Sequence, residues 1–430
     1  MLLIMVFNFI VGLTDIYVAG FISPGVQAAV GFISQIYFLT ILVANAVSIG
    51  TIALLSREMG AGHFKTAVEI ARQSLAISIL AALCLMLIGL VLHKEIVAAV
   101  GFPLEIRTIA GNFLKIFSLA IGPNYVLIIS NAIFRAGGEV KKILFTMFLV
   151  SVINIAGNFI FVFGLFHFPS LGYMGIALST AASVTIGMII SFTLIAFSRW
   201  KPLYTEPWVV SPALIKRIIK LSWPAALLQV AWNSGSVVLY NILGRLGNLS
   251  ITGLASISNG LRIEAIIYLP AFALNMAASV LVGQNLGAKN IERAEKIGWK
   301  MAVTGVFVIS LMAVVIFIWA GHFASFVAKR PDVVEETTQY LKFNMLSEPF
   351  MALSTVLGGG LQGAGDTKGT MWVVIIAMWF IRLPLAYFFA LVLGYGATGV
   401  WAAMVVSMII QGILMSLRFH HGLWKTLNLN

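Results

Sequence analysis

The chain has 430 residues, of which 60% are apolar and only 10% are charged, and its mean hydropathy is +1.01. A soluble domain is close to half apolar and a quarter charged, so this composition excludes a soluble protein and indicates a membrane protein with many spans. The net charge of +12 is spread over segments between apolar runs. That distribution indicates orientation signals in a membrane and not a nucleic-acid partner.

Twelve apolar runs, separated by charged residues or by glycine and proline, predict twelve transmembrane helices. A spanning helix needs about 20 apolar residues, and the runs lack the alternation of a barrel strand. The predicted spans are 1–20, 27–55, 67–92, 106–133, 143–165, 171–197, 222–243, 251–282, 297–320, 337–361, 370–393 and 398–418. We therefore predict an all-α integral membrane protein.

The second six predicted spans repeat the first six. Gly60-Ala61 recurs 227 positions later as Gly287-Ala288, and near the end of each half Gly175 aligns with Gly399 at a shift of 224. This repeat predicts two pseudo-symmetric six-helix lobes, of a kind found in secondary transporters with a central cavity. The predicted parts are an N-terminal lobe 1–197, a linker 198–221, a C-terminal lobe 222–418 and a tail 419–430.

The basic residues predict the orientation of the spans. Sixteen lysine and arginine residues fall in the predicted loops of one side and five in those of the other. Loops rich in lysine and arginine stay in the cytoplasm. We therefore expect a multi-pass protein of the plasma (inner) membrane with the linker and the C-terminus on the cytoplasmic side.

Three predicted spans of the first half place polar side chains at a similar depth. Asp15 lies about 8 Å and Asn158 about 9 Å below the outer ends of their helices, at 1.5 Å of rise per residue. Asn154 lies one turn from Asn158 on the same face, and Thr180 lies at a similar depth in span six. A carboxyl group at membrane depth raises the free energy of insertion by roughly 2.5–3.5 kcal/mol. Such a residue is therefore expected to have a functional or structural role.

These four residues predict a site for a proton or for Na⁺. No metal ion other than Na⁺ is predicted. A carboxylate with amide and hydroxyl oxygens suits Na⁺, and burial favours the protonated form of a carboxyl group. A structural crosslink between helices, made of ordinary hydrogen bonds, is the alternative.

The second half carries a different set of polar residues inside its predicted spans. Candidates for lining a substrate cavity are Gln229, Trp232, Asn233, Asn259, Arg262, Glu264, Tyr268, Glu348 and Trp379. For Arg262 and for Arg382 in span eleven, a network of structural salt bridges is the favoured interpretation. No nucleophile lies near a base, and the histidines are scattered, so we predict neither an enzyme nor a cofactor.

Several motifs, in their order and spacing, resemble those of the MATE (multidrug and toxic compound extrusion) family over essentially the whole chain. They are Thr14-Asp15-Ile16-Tyr17-Val18-Ala19-Gly20, the Gly-Ala loops at 60 and 287, the segments 135–141 and 362–368, and Leu261-Arg262-Ile263-Glu264. The resemblance implies twelve helices in two lobes around a central cavity. It also implies export of cationic or amphipathic compounds by alternating access, in exchange for H⁺ or Na⁺.

The resemblance further implies that Asp15, Asn154, Asn158 and Thr180 form the cation site. Asn158 stands where the family usually has a second acid, which favours H⁺ over Na⁺ as the coupling ion here. Some family branches use acids in spans seven and ten, and of these two spans only span ten has one, Glu348. We expect small substrates and the lipid bilayer as partners, and a monomer.

Two other functions stay open. A lipid-linked oligosaccharide flippase belongs to the same superfamily, and the number of arginines lining the cavity would distinguish it. A non-transporting membrane scaffold or receptor is the alternative from another class, and it would be expected to carry large loops or an added domain.

Overall fold

The structure is a computed structural model that describes residues 1–99 and 104–427. Its described residues are helices, turns and short connections, with no strand among them. The chain divides into two compact units, Met1–Ser222 and Trp223–Asn430. Within the described part, ten helices are long and apolar enough to cross a membrane.

The first unit contains six long helices and one short one. They are α1 (Leu2–Ile22), α2 (Pro24–Gly60), α3 (Phe64–Ala99), α4 (Leu104–Ala136), α5 (Val140–Phe163), α6 (Tyr173–Ala196) and α7 (Pro202–Thr205). Ser23 separates α1 from α2 with an extended backbone, and its hydroxyl accepts a 3.1 Å hydrogen bond from the Val26 N–H. Pro24 lacks an N–H and suits the first position of a helix, so α2 starts there.

In the described part of the chain, the second unit is built from nine helices. Its helices are α8 (Pro212–Gly244, which starts in the first unit), α9 (Ser250–Gly287), α10 (Ile291–Ile318), α11 (Ala320–Val327), α12 (Pro331–Met345), α13 (Glu348–Gly363), α14 (Thr367–Ile375), α15 (Leu383–Tyr387) and α16 (Gly396–His421). Two π-helical segments, Ile376–Arg382 and Phe388–Val392, flank α15. The segment predicted as the linker, 198–221, contains α7 and the first turns of α8. Of the predicted tail, 419–430, the last three residues lie outside the described part.

The prediction of one continuous helix over 337–361 is wrong, because the structure divides it at Leu346 and Ser347. Pro349 follows the first residue of α13. A proline lacks the backbone N–H and disfavours helical backbone in the residue before it, so the helix is interrupted there. Pro384 has a related effect in predicted span eleven, where α-helical and π-helical turns alternate.

The internal repeat is visible in matching backbone conformations. Gly138 and Gly365, 227 positions apart, both have positive φ, at +76° and +93°. Gly62 and Lys289, at the same separation, have φ of +78° and +59°. These left-handed residues follow long helices and turn the chain into the next one.

A second match concerns close packing of helices. A Cβ atom on Gly175 of α6 would lie 2.7 Å from the Phe161 carbonyl carbon of α5, and one on Gly399 of α16 would lie 2.7 Å from the Phe389 carbonyl carbon. Small residues at such positions let helix backbones approach each other closely. In the first unit this contact holds α5 and α6 together, and both helices contribute to the site described next.

Candidate cation site

Asp15 lies on α1 with its side chain buried in the first unit and only 6% of the residue exposed. Its two carboxyl oxygens have different partners. Asn158 Nδ2 of α5 donates to Oδ1 at 2.7 Å, and Thr180 Oγ1 of α6 donates to Oδ2 at 2.9 Å. One carboxyl group therefore joins three helices.

The same partners bond to each other through Asn154. Asn154 Nδ2 donates to Thr180 Oγ1 at 3.0 Å, and Asn154 Oδ1 accepts from Asn158 Nδ2 at 3.3 Å. Asn154 and Asn158 lie one turn apart on α5, so both amides face α1 and α6. The structure thus brings the four residues singled out from the sequence into one buried hydrogen-bonded cluster.

The chemistry of this cluster is that of oxygen ligands and neutral donors. Within the described residues, no basic side chain forms an ion pair with Asp15. Asn158 Oδ1 is buried and accepts no hydrogen bond from any residue that the structure describes. A buried carboxylate without a counter-charge is costly, so the arrangement can bind a proton or a monovalent cation.

Tyr37 of α2 is a neighbour that the sequence did not single out. Its side chain interacts electrostatically with the Asp15 carboxyl group, and its hydroxyl accepts a 2.8 Å hydrogen bond from Asn124 Nδ2. A tyrosine in an apolar span is common, and nothing in its spacing pointed to Asp15. Tyr37 stands 227 positions before Glu264, which is a buried acid of the second unit.

The second unit places four side chains around Glu264 of α9, namely Tyr268, Tyr340, Glu348 and Arg382. Tyr268 OH donates to Glu264 Oε2 at 3.0 Å, and Glu348 at the start of α13 interacts electrostatically with Glu264. The Arg382 guanidinium lies 5.0 Å from the ring centroid of Trp232 and donates through Nε to Ser407 Oγ at 2.8 Å. Both glutamates and the arginine are buried.

In the part of the chain that the structure describes, the remaining candidates of the second unit do not join this cluster through any hydrogen bond. Gln229, Asn233 and Asn259 are half-buried, and the Asn233 side chain donates back to the Gln229 carbonyl of its own helix. Trp379 Nε1 donates to the Ala231 carbonyl at 3.0 Å. Arg262 is exposed, on a different face of α9 from Glu264.

The expected salt-bridge network of the two arginines is wrong for the described part of the chain. Neither Arg262 nor Arg382 lies within 4.0 Å of a carboxylate oxygen there. Residues two apart on a helix point in different directions, which separates Arg262 from Glu264. Arg382 is instead satisfied by a hydroxyl and an aromatic face.

Comparison with known proteins identifies the family. The long apolar helices define a membrane protein, and a buried acid among such helices is typical of membrane transport proteins. A family model described as MatE matches residues 1–160 and 224–388, one stretch in each half of the chain. The chain belongs to the MatE family of membrane transporters, which confirms the resemblance seen in its motifs and makes it a transporter and not an enzyme.

Similar proteins match this chain over most of their length. "Uncharacterized transporter YisQ" of Bacillus subtilis is 25% identical over 94% of this chain and 88% of its own length. "Probable multidrug resistance protein NorM" of Thermotoga maritima is 24% identical over 98% and 90%. A crystal structure of a mutant of the Vibrio cholerae MATE transporter VcmN matches with a TM-score of 0.90 at 20% identity, covering 100% of this chain and 95% of that one. The fold is that of the MATE transporters, with twelve helices in two lobes.

Proposed function

We propose that this transporter is a secondary active antiporter that exports amphipathic, often cationic compounds in exchange for H⁺ by alternating access. The name of the Thermotoga maritima relative, a multidrug resistance protein, supports this substrate class. The observation that carries the proposal is the burial of Asp15 among neutral hydrogen-bond donors from α5 and α6. A site of this kind changes its charge when one proton binds.

The hydrogen-bond partners select the oxygen that takes the proton. Asn158 Nδ2 can only donate, so Oδ1 has to remain an acceptor. Thr180 Oγ1 can donate or accept, so a proton on Asp15 Oδ2 can donate to it after the hydroxyl turns. We therefore place the transported proton on Oδ2.

Proton binding changes how α1 packs. A neutral Asp15 no longer needs all the donors that stabilise its charge, so α1 becomes free to repack against α5 and α6. Repacking of α1 accompanies outward release of the substrate, and loss of the proton toward the cytoplasm restores the first state. The proton drives this cycle because its affinity differs between the two states.

The residue set favours H⁺ over Na⁺ as the coupling ion. Na⁺ is held best by several oxygens with a compensating negative charge. Here Asp15 is the only carboxylate of the cluster, since position 158 carries an amide.

The remaining parts of the proposal concern location and assembly. The distribution of basic residues supports insertion in a plasma (inner) membrane with the C-terminus in the cytoplasm. The transporter works as a monomer, because each chain carries its own cluster at Asp15.

Dye export from proteoliposomes, with pH and Na⁺ gradients imposed separately, tests the proposal. Asp15→Asn keeps the shape of the side chain but cannot ionise, and we expect it to lose export driven by a pH gradient. Glu69→Gln, an exposed acid on α3, is the matched control and should transport normally. Export by Asp15→Asn at the wild-type rate, or wild-type export driven by Na⁺ alone, would contradict the proposal.

A further inference from the structure

The segment 202–210 follows α6 in the first unit and runs back along the helices beside it. Tyr204 OH donates a hydrogen bond of 3.2 Å to the Phe192 carbonyl of α6, and the two rings meet edge to face with centroids 6.1 Å apart. Phe192 lies four residues before α6 ends at Ala196, which is about 6 Å along the helix axis. The chain therefore leaves α6, turns, and brings Tyr204 back to a level inside the end of that helix.

Two side chains of α3 bind the same segment further from the helix end. Arg72 Nη1 donates to the Pro207 carbonyl at 3.1 Å, and Gln73 Nε2 donates to the Val209 carbonyl at 2.7 Å. α3 starts at Phe64, and helical side chains lean toward the start of their helix, so the Val209 carbonyl lies about 10 Å along the axis of α3. α3 is long and apolar enough to cross a membrane, and predicted span three begins within its first turn. Val209 is therefore level with the membrane-spanning part of α3.

The carbonyls of this segment are bound by side chains of the protein. Besides the bonds to Pro207 and Val209, the Arg72 guanidinium donates to the Pro202 carbonyl, and Trp208 Nε1 donates to the Leu203 carbonyl at 3.0 Å. A loop in water can leave its carbonyls to solvent, whereas a segment in lipid has to satisfy them internally. Four carbonyls bound in this way are the arrangement that a lipid environment requires.

The side chains of the segment form an apolar surface. Trp208 is 52% exposed, and Val209 and Val210 are each 71% exposed. Tryptophan is enriched where membrane and water meet, because its ring is apolar and its N–H is polar. The bonds from Arg72 and Gln73 hold the backbone in place, so these three side chains stay on the outside of the segment. Contact with lipid would remove their apolar surface from water.

Two lysines follow this apolar surface on α8. Lys216 and Lys220 lie one turn apart on the same face of the helix, and both are exposed. Neither forms an ion pair with any residue that the structure describes. The one acid in the sequence 198–221 is Glu206, and its carboxylate already accepts from Arg72 at 3.0 Å. Lysines without an acidic partner beside an apolar surface favour the phosphate groups of anionic lipids.

We propose that residues 202–210 form an interfacial membrane anchor, and that Lys216 and Lys220 bind anionic phospholipid headgroups beside it. The exposed side chains of the anchor enter the boundary between headgroups and acyl chains, on the side of the membrane where α3 begins and α6 ends. The anchor fixes the connection from α6 to α8 at the membrane surface. Because no transport step is involved, it is independent of the proton site at Asp15.

Spin-label accessibility on the full chain in liposomes tests the insertion. Cys84→Ala removes the one native cysteine, and Val210→Cys, Leu80→Cys and His63→Cys then carry a nitroxide label in turn. Leu80 is an exposed residue within α3 and marks lipid, whereas His63 is exposed just before α3 and marks water. Oxygen dissolves in lipid and a nickel complex stays in water, so the ratio of the two accessibilities gives the depth of a label. We expect the Val210 label to lie about 10 Å deeper than the His63 label.

Two outcomes of this measurement would overturn the insertion. A Val210 label as accessible to nickel as the His63 label would place the segment in water. A label shielded from both oxygen and nickel would show that protein, such as a second copy of the chain, covers the segment. Neither result depends on export, so a failure here is distinct from a failure of Asp15→Asn in proteoliposomes.

Brominated lipids test the choice of headgroup. A fluorescent label on Val210→Cys is measured in liposomes with equal amounts of phosphatidylglycerol and phosphatidylcholine, with bromine on only one of the two lipids at a time. Brominated phosphatidylglycerol should quench the label more strongly, by roughly twofold or more, because the lysines gather anionic lipid around the anchor. Equal quenching by the two lipids would overturn the recognition of anionic headgroups.

Glutamine variants assign this preference to the two lysines. Lys216→Gln and Lys220→Gln together should make quenching by the two brominated lipids equal. Lys289→Gln and Lys300→Gln together remove the same charge from exposed lysines of the second unit and should leave the preference unchanged. A preference that survives the loss of Lys216 and Lys220 would contradict their role. If that variant fails to fold, the comparison of lipids on the protein with both lysines still decides whether the anchor selects anionic lipid.

Discussion

Thr180 Oγ1 donates a hydrogen bond of 2.9 Å to Asp15 Oδ2 and accepts one of 3.0 Å from Asn154 Nδ2. It is the one atom bonded directly to Asp15 in this cluster that can both donate and accept. The two asparagines fix the positions of the oxygens, whereas the threonine can follow a change in the protonation of Asp15. This relationship makes Thr180 the most sensitive test of the proposed proton site.

Replacing Thr180 by valine should reduce export driven by a pH gradient by about 10- to 100-fold. The change keeps the shape of the side chain but removes a hydrogen bond to a charged group, worth about 1.5–3 kcal/mol. Thr180→Ser keeps the hydroxyl and should retain most of the activity. The initial rate of dye export measures both.

The control for Thr180→Val is Thr185→Val on the same helix. Among the described residues, the Thr185 hydroxyl donates only to the Ala181 carbonyl of its own helix, so its loss should leave export unchanged. Equal export by Thr180→Val and Thr185→Val would show that the hydroxyl beside Asp15 has no role.

Asn158→Asp should give the transporter a dependence on Na⁺. The change places a second carboxylate beside Asp15, next to the amide of Asn154 and the hydroxyl of Thr180. Two carboxylates with further oxygens form a better site for Na⁺ than one. Export driven by a Na⁺ gradient should therefore appear in this variant and be absent from the wild type.

Asn112→Asp is the matched control for this change. Asn112 of α4 donates to the Tyr173 hydroxyl oxygen, and an aspartate can keep the contact by accepting from that hydroxyl instead. An added acid there should create no Na⁺ dependence. Na⁺-driven export in both variants would point to a general effect of the added charge. If neither variant shows Na⁺-driven export, the residue at position 158 does not select for Na⁺.

The sequence predicted the long helices and the Asp15 group of residues for physical reasons. An apolar run of about 20 residues has few options other than a spanning helix. A carboxyl group in such a run stands out, and depth alone was enough to align Asp15 with polar groups on two other predicted helices. The positions of the duplicated glycines similarly showed where helices end.

The sequence could not predict the arrangement around Glu264 in the same way. Tyr340 was missed because its counterpart 227 positions earlier is Phe113, so the repeat carries no polar signal there. Arg382 belongs to a π-helical turn, which changes the direction of its side chain relative to an α-helix. The division before α13, which positions Glu348, depends on local backbone geometry that hydropathy does not register.

Gly175→Ala and Gly399→Ala should each lower the thermal stability of the protein. An added Cβ would stand 2.7 Å from the backbone of the neighbouring element in each case, so that helices must move apart. Overpacking of this kind costs about 1–3 kcal/mol. Unfolding of the purified protein, followed by intrinsic fluorescence as temperature rises, measures the change.

Gly31→Ala on α2 is the control for both variants, because among the described residues its added Cβ would meet no atom outside its own stretch of helix within 4 Å. Alanine is also a better helix former than glycine, so this variant should be at least as stable as the wild type. Similar stabilities for all three variants would mean that the close approach of helices at Gly175 and Gly399 is relaxed at little cost.

Arg72→Ala should release the chain segment 202–209 that follows the first six helices. The buried Arg72 guanidinium on α3 donates to the carbonyls of Pro202 and Pro207 and to the Glu206 carboxylate. Gln73 adds a bond of 2.7 Å to the Val209 carbonyl. These contacts hold the segment against α3, so their loss makes it accessible to proteases.

The measurement is limited proteolysis of the folded protein with proteinase K. Hydrogen bonds to a charged group contribute about 1.5–3 kcal/mol, so cleavage in 202–209 should become roughly tenfold faster or more in Arg72→Ala. Arg72→Lys should be intermediate, because an ammonium group can pair with Glu206 but lacks the fork that reaches both carbonyls. Arg293→Ala removes an exposed arginine and serves as the control. An unchanged cleavage rate in Arg72→Ala would show that other contacts hold segment 202–209 against α3. Gln73 would then be the next residue to test.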